Sequence, residues 1–377
     1  MFNRLYIHVP FCIKKCHYCA FVSGNPEHNS LMEYPALLLR ELQLHTPGSE
    51  ALASIYFGGG TPSLLQPQQL SELLEGIWAH TGISENAEIT LEANAGTVDS
   101  VYLKELHNAG INRISLGIQS FDDHFLETLG RIHTVEQSRQ AFLDAREAGF
   151  TNISIDLIHS LPGQSLDHWR SELLHAIALS PEHISIYGLT VEDGTHFASL
   201  YPPDSPELAD EDLSADMFEL ADKLLTASGF EHYEIANYAR PGCRSQHNSG
   251  YWKRDGYLGL GVAAHTFMRE DYGVRFSNPD GMEEYRHGVR SGRPARIDEH
   301  KLTLDDAMAE YMFLGLRLSD GVDLRAFECE FGRSLESACG PVAADLEQLG
   351  LVVQNEGVLA LTLRGMLLSN QVFARFL

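Results

Sequence analysis

The 377-residue sequence has no run of eighteen or more apolar residues, so no segment reads as an integral membrane helix. Its opening residues, MFNRLYIHVPF, lack the apolar stretch and small-residue cleavage site of a secretory leader. Basic residues are scarce, 27 Lys and Arg against 52 Asp and Glu, a formal net charge of −25. Phosphate neutralisation needs clustered cations, so no nucleic-acid partner is expected, and the acidic excess reads as a solvated surface. Cysteine is scarce too. Six in a chain of this length are too few for a disulfide scaffold and favour a cytoplasmic protein with a metal or redox site.

What the chain does have is ordinary soluble composition, 44% hydrophobic and 21% charged, with length for a large core. Its first half repeats one theme: a short β-branched run, a polar or Gly/Pro break, then an amphipathic helical pattern. The strands read as LYIHV (5–9), SIYFG (54–58), EITLEA (88–93), RISLGI (113–118), NISIDLI (152–158) and HISIYGL (183–189). Alternating strands and helices predict an α/β fold with a parallel sheet under helical cover. An open doubly wound sheet and a partial barrel fit this pattern equally. Either topology gathers the residues at the strands' C-terminal ends on one face. There the first strand leads into a cysteine loop and the second into GGGTP (58–62). Glu92, Gln119, Asp156 and Thr190 lie at or just past the ends of the other four.

Beyond about residue 235 the character changes. Residues 236–300 are rich in Gly, aromatics and His, show little helical period, and are expected to close the barrel-like core of 1–235. Residues 301–377 turn helical again, end in a hairpin at VVQNEGVLALT and a last helix at RGMLLSNQVFARFL, and suggest a small α+β, winged-helix-like module. With 6 basic and 11 acidic residues, that module is expected to pack or to bind protein rather than DNA.

The cysteine loop, VPFCIKKCHYCAFVSG (9–24), carries the sharpest chemistry. Cys12, Cys16 and Cys19 are spaced C-x3-C-x2-C, so three thiolates can face one point. Thiolates are soft ligands suited to zinc or to iron–sulfur clusters. Structural zinc would need a fourth ligand, with His17 or Cys243 as candidates. A four-iron cluster held by three thiolates would leave one iron open. The [4Fe–4S] reading therefore stands ahead of zinc, and zinc ahead of three structural cysteines. Cys329 and Cys339 sit in helical patterns and read as core residues.

CIKKCHYC, with an aromatic residue before the third cysteine, resembles the signature of the radical S-adenosylmethionine (SAM) superfamily. That resemblance implies a partial (β/α)6 barrel whose cluster binds S-adenosylmethionine through its open iron and cleaves it to a 5′-deoxyadenosyl radical. YIHVPFC, FGGGTPSLL, LEANAGTV, NRISLGIQSF, LGRIHT, SIDLIHSLPGQ and LTVEDGTHF resemble the branch that contains oxygen-independent coproporphyrinogen III oxidase. QHNSGYW, YLGLGVAAH and the C-terminal motifs resemble that branch's HemW-type heme chaperones. The resemblance covers nearly the whole chain. It implies that Tyr6 and Tyr18 flank the cofactor, that Gly59, Gly60 and Thr61 lie along its methionine end, and that Glu92 holds its amino group or ribose. Gln119, Arg131, Asp156 and Thr190 match positions that contact S-adenosylmethionine in the oxidase, including a second molecule of it.

Each assignment has a plainer alternative. Glu92 and Asp156 lie in apolar strands, where Arg113 or Arg131 would serve as a structural partner. His247, Asn248, Tyr251 and Trp252, the HNxxYW element, either cap the barrel or form a heme or acceptor site. His265 and Cys243 are further candidates as heme ligands.

Three functions follow as expectations. The first is a heme chaperone with a [4Fe–4S] cluster and S-adenosylmethionine, passing heme to an apo-hemoprotein such as a respiratory cytochrome. It is cytoplasmic, peripheral to the membrane at most during delivery, and uses an electron donor. The second is oxidative decarboxylation of coproporphyrinogen III, and the third is a non-redox zinc protein. The oxidase resembles C-x3-C-x2-C-x-C, whereas here Phe21 stands at the fourth cysteine. The oxidase also carries an N-terminal extension, whereas this sequence opens almost at its first strand. Both departures favour the chaperone.

Overall fold

The structure, a computed structural model, describes residues 2–26, 28–48, 50–202, 205–294 and 296–377. Six parallel strands lie side by side in chain order: β1 (Arg4–Val9), β2 (Leu52–Gly59), β3 (Ile83–Asn94), β4 (Arg113–Gln119), β5 (Ile153–His159) and β6 (His183–Gly188). Helices α1 (His28–Gln43), α2 (Pro67–Thr81), α3 (Ser100–Asn108), α4 (Asp123–Thr128), α5 (Val135–Ala148) and α6 (Leu166–Leu179) connect them. Parallel neighbours need such crossovers, and this is the expected partial (β/α)6 arrangement.

Every strand alternates. Leu5, Ile7 and Val9, then Ile55 and Phe57, then Ile89 and Leu91, are all buried and join one core with Leu37, Leu38, Leu70 and Leu73 of the covering helices. Burying one such side chain contributes about 1.5–3 kcal/mol, so this layer supplies most of the driving force. The intervening residues are Arg4, Tyr6 and His8, then Ser54 and Tyr56, then Glu88, Thr90 and Glu92. In β4 to β6 they are Arg113, Ser115, Asp156, His183 and Ser185. Successive strand residues face opposite sides, so one face of the sheet is oily and the other is a polar lumen.

After β6 come α7 (His196–Leu200), α8 (Glu211–Ala227), β7 (Glu231–Glu234) and β8 (Asn237–Ala239). Strand β8 pairs antiparallel with β6, and β7 with β8. Helix α9 (Gln246–Trp252) is followed by β9 (Tyr257–Leu260), β10 (His265–Met268), β11 (Val274–Ser277), α10 (Met282–Arg290) and β12 (Ile297–Lys301). These four strands extend the sheet from its other edge, where β9 runs parallel to β1.

The HNxxYW segment, expected without helical period, is helix α9. Its signal is masked by Gly250, where a Cβ would fall 1.9 Å from the Nε of Arg4.

The C-terminal module has its own core, which includes Met312, Phe327, Leu346 and Leu359. Helices α11 (Leu304–Gly315), α12 (Leu324–Phe331) and α13 (Leu335–Gln348) pack with strands β13 (Val322–Asp323), β14 (Val352–Asn355) and β15 (Val358–Leu361). The predicted hairpin is β14–β15, turning through Glu356 and Gly357, both at positive φ as a two-residue turn requires. The expected last helix is two short ones, α14 (Leu363–Leu367) and α15 (Ser369–Phe373), which part at Leu368. Among the described residues, no helix is long and apolar enough to cross a membrane.

Candidate functional site

A cleft of about 350 Å³ opens at the C-terminal ends of β1 to β6. Its upper wall is the cysteine loop, which the backbone closes as a clasp. The Cys12 amide donates to the Gly24 carbonyl at 2.9 Å, and the Gly24 amide to the Pro10 carbonyl at 3.0 Å. Two histidines fasten the loop. His17 donates from Nδ1 to the Thr128 carbonyl at 3.0 Å. Below the loop, His8 Nε2 donates to the Val22 carbonyl at 3.1 Å, which leaves Nδ1 to accept from the Tyr6 hydroxyl, also at 3.1 Å. Burial lowers the His8 pKa and favours that neutral ring.

Cys12, Cys16 and Cys19 all line the cleft, and none is in a disulfide. Thr61 Oγ1 donates to Cys12 Sγ at 3.5 Å, and Arg131 Nη1 to Cys16 Sγ at 3.4 Å. Burial raises the Cys19 thiol, with the Cys16 and Cys12 sulfurs adding to the rise and Lys15 opposing it. Three soft donors around one opening, with cations beside them, match the chemistry of a thiolate-bound cluster. Neither candidate for a fourth zinc ligand joins them. The His17 ring packs on Gly130 and bonds to Thr128, while Cys243 follows β8 near Glu182, at the far end of the barrel.

The glycine turn forms the wall facing the loop. A Cβ on Gly60 would lie 2.7 Å from the Phe11 carbonyl oxygen and 2.9 Å from that of Val9, so only glycine lets the two segments touch. Gly59 has φ +106°, and a Cβ there would strike the His8 ring. Asn94 Nδ2 donates to Thr61 Oγ1 at 3.1 Å and ties the turn to β3.

The two carboxylates lie on the polar face. Glu92 accepts from the Tyr56 hydroxyl at 2.7 Å and from the Gly59 amide at 3.3 Å. Burial pushes it up to about 7, with Asp156 adding to the rise and Arg113 opposing it. Asp156 accepts from Ser115 Oγ at 3.2 Å and is likewise raised by burial, against Ser185, Arg113 and Ser115. Arg113 is thus a charge partner for both without blocking the cleft.

Arg131 is held by Asn94 Oδ1 and by the Gly117 carbonyl at 2.8 Å, and its Nε has no partner among the described residues. Gln119 closes β4 at φ +70°, a costly conformation for a residue with a side chain, and lines the cleft together with Tyr18 and Thr190.

Tyr6 is apart from this set. It lies one layer down, stacked on Tyr56 with ring centroids 6.2 Å apart. The HNxxYW element is deeper still. His247 is fully buried, with Nδ1 2.8 Å from Ser54 Oγ and Nε2 2.7 Å from the Tyr251 hydroxyl, and it stacks on Tyr56. Burial holds it well below the usual histidine range. Glu88 accepts from the Gln246 and His247 amides at 3.0 and 2.9 Å and anchors the start of α9. Asn248 bonds through its amide to Ser245 Oγ, and Trp252 lies under Arg317. His265 is exposed on the corner between β9 and β10, away from the other four. Asn94, Ser115 and Tyr187 also line the cleft and were not singled out from sequence, although strand alternation marks the first two.

Residues 6–175 match the family model described as the radical SAM superfamily, and residues 302–368 match the HemN C-terminal domain. The chain is 38% identical to the heme chaperone HemW of Bacillus subtilis over 99% of its length and 98% of the relative's. It is 41% identical to the heme chaperone HemW of Escherichia coli over 69% of both chains. In fold it resembles the Escherichia coli coproporphyrinogen III oxidase HemN, a radical SAM enzyme, with a TM-score of 0.86 at 24% identity, covering 100% of this chain and 90% of that one. A cysteine clasp over a polar lumen, joined to a HemN-type C-terminal module and matched over 99% of its length by the Bacillus subtilis relative, assigns the chain to the family of the heme chaperone HemW, within the radical SAM superfamily.

Proposed function

We propose that the protein is a heme chaperone that carries a [4Fe–4S] cluster on Cys12, Cys16 and Cys19, binds S-adenosylmethionine beside it, and passes heme to an apo-hemoprotein. The observation that carries this reading is the three-thiol clasp with an exposed phenylalanine, Phe21, where a fourth thiol would stand. When bound, such a cluster supplies one open iron for chelation and a source of single electrons.

The chain's own residues supply the rest. Gly59, Gly60 and Thr61 offer backbone and hydroxyl contacts to an amino-acid end. Glu92 offers a carboxylate to an amino group or ribose, and Gln119, Arg131, Asp156 and Thr190 line the same cleft as Tyr18. A desolvated, pre-bonded lumen orients a ligand without reorganising around it. Tyr6, Tyr56 and His247 support Glu92 from below. Of the heme-ligand candidates, His247 has both ring nitrogens engaged, whereas His265 is exposed.

Glu92 gives this reading a pH dependence. A carboxylate holds an ammonium group only when ionised, and Glu92 is raised to about 7. It is mostly protonated at pH 6 and mostly ionised at pH 8. Affinity for S-adenosylmethionine should therefore rise up to about tenfold across that interval. Equilibrium dialysis on cluster-loaded protein measures it. Glu92→Gln should bind weakly with a flattened profile, and an unchanged profile in that variant would remove Glu92 from the site.

Transfer tests the chaperone function itself. Heme-loaded protein mixed with an apocytochrome should lose its Soret absorbance to the acceptor after separation. Complete retention, under conditions where free heme loads the same acceptor, would contradict the reading.

A further inference from the structure

The sequence holds only six lysines, and two of them, Lys14 and Lys15, stand side by side between the first two cysteines. Both are exposed, both line the mouth of the cleft, and among the described residues neither pairs with a carboxylate. In a chain of net charge −25, this is an unusual place to spend two of six lysines.

The same rim is apolar. Phe21 is 67% exposed and Ile13 51%, both on the cysteine loop, and Tyr187 from the end of β6 is 47% exposed. Exposed apolar residues scattered singly need no explanation, but here two of the three line the same mouth as the lysines. Aromatic rings present flat apolar faces, and lysines present mobile point charges that suit carboxylates.

We propose that this rim is the heme-docking surface: Phe21 and Tyr187 take the flat apolar ring, and Lys14 and Lys15 take its two propionate carboxylates. The inference rests on the heme-chaperone reading and deepens it by locating the ligand at the cleft mouth, away from the HNxxYW helix. It gives Phe21 a positive role, since a cysteine there would offer no flat face. The plainer account is that the lysines only offset the charge of the thiolates, as Lys15 does for Cys19. The two accounts separate on the ligand's carboxylates.

The test titrates cluster-loaded protein anaerobically with heme and with heme dimethyl ester, which keeps the ring and loses both charges. Unaltered protein should bind heme roughly tenfold more tightly than the ester, with the gap shrinking as salt rises. Lys14→Glu/Lys15→Glu with normal iron and sulfide should lose roughly tenfold for heme and little for the ester. Phe21→Ala should weaken both ligands. If the reversed charges prevent cluster loading, Lys14→Gln/Lys15→Gln replaces that variant, with a smaller loss for heme alone.

Equal affinity of unaltered protein for heme and ester, or equal losses for both ligands in the lysine variants, would overturn the proposal. So would unchanged heme binding in the lysine and phenylalanine variants. Failure of unaltered protein to bind either ligand would instead sink the chaperone reading, and this proposal with it.

Discussion

Cys16→Ala protein, reconstituted anaerobically, should contain iron and acid-labile sulfide only at background level and should lose the brown colour of the loaded protein. Three thiolates are the fewest that hold a cubane while leaving one iron open, and Cys16 is the middle donor of the clasp. It also accepts from Arg131 at 3.4 Å, so the substitution removes a ligand and leaves a buried guanidinium short of one partner. The fold should survive. Cys16 is only half-buried, and its backbone carbonyl still accepts from the Cys19 amide. Substitutions outside the core typically change stability by about half a kcal/mol, with the lost Arg131 contact adding about one more. Thermal unfolding of the two apo forms should therefore differ by only a few degrees, roughly 2–4 °C per kcal/mol at this chain length. Cys329, expected in the core from its helical pattern, is instead exposed on α12, so Cys329→Ala should load normally and serves as the matched control. Full iron and sulfide in the Cys16 variant would contradict the ligand assignment. Loss in both variants would point to a general folding defect.

Much of this site was legible because its parts are local. The cysteine spacing needs no long-range contact, and the six strand runs place their own ends. The rule that strand ends gather then joins Gly59, Glu92, Gln119, Asp156 and Thr190, and all five line one cleft. What the sequence reading passed over is the polar face. Glu92 and Asp156 looked like charges stranded in apolar strands, yet each is one step in an alternation that also places Arg113 and Ser115 in the lumen. Counting alternate residues across all six strands would have exposed it.

Other features had no local signal. The strands from β9 to β12 are four or five residues long, and β9 pairs with a strand some 250 positions earlier. Helix α9 carries a glycine where Arg4 crosses, so its period is broken for a tertiary reason. The depth of His247 likewise follows from Ser54, Tyr56 and Glu88, none of them near it in sequence. Tyr6 lies on the strand that leads into the cysteine loop, and its ring bonds to His8 and stacks on Tyr56 rather than lining the cleft, a placement that motif spacing does not carry.

Heme carriage and porphyrinogen chemistry would draw on the same clasp, and the fold shared with the oxidase HemN does not separate them. One paired measurement does. Cluster-loaded protein is titrated anaerobically with heme, and a second portion is incubated with coproporphyrinogen III, S-adenosylmethionine and a reductant. Heme carriage predicts a saturable Soret change near one heme per chain and no protoporphyrinogen. Absence of heme binding together with conversion of coproporphyrinogen to protoporphyrinogen would contradict it.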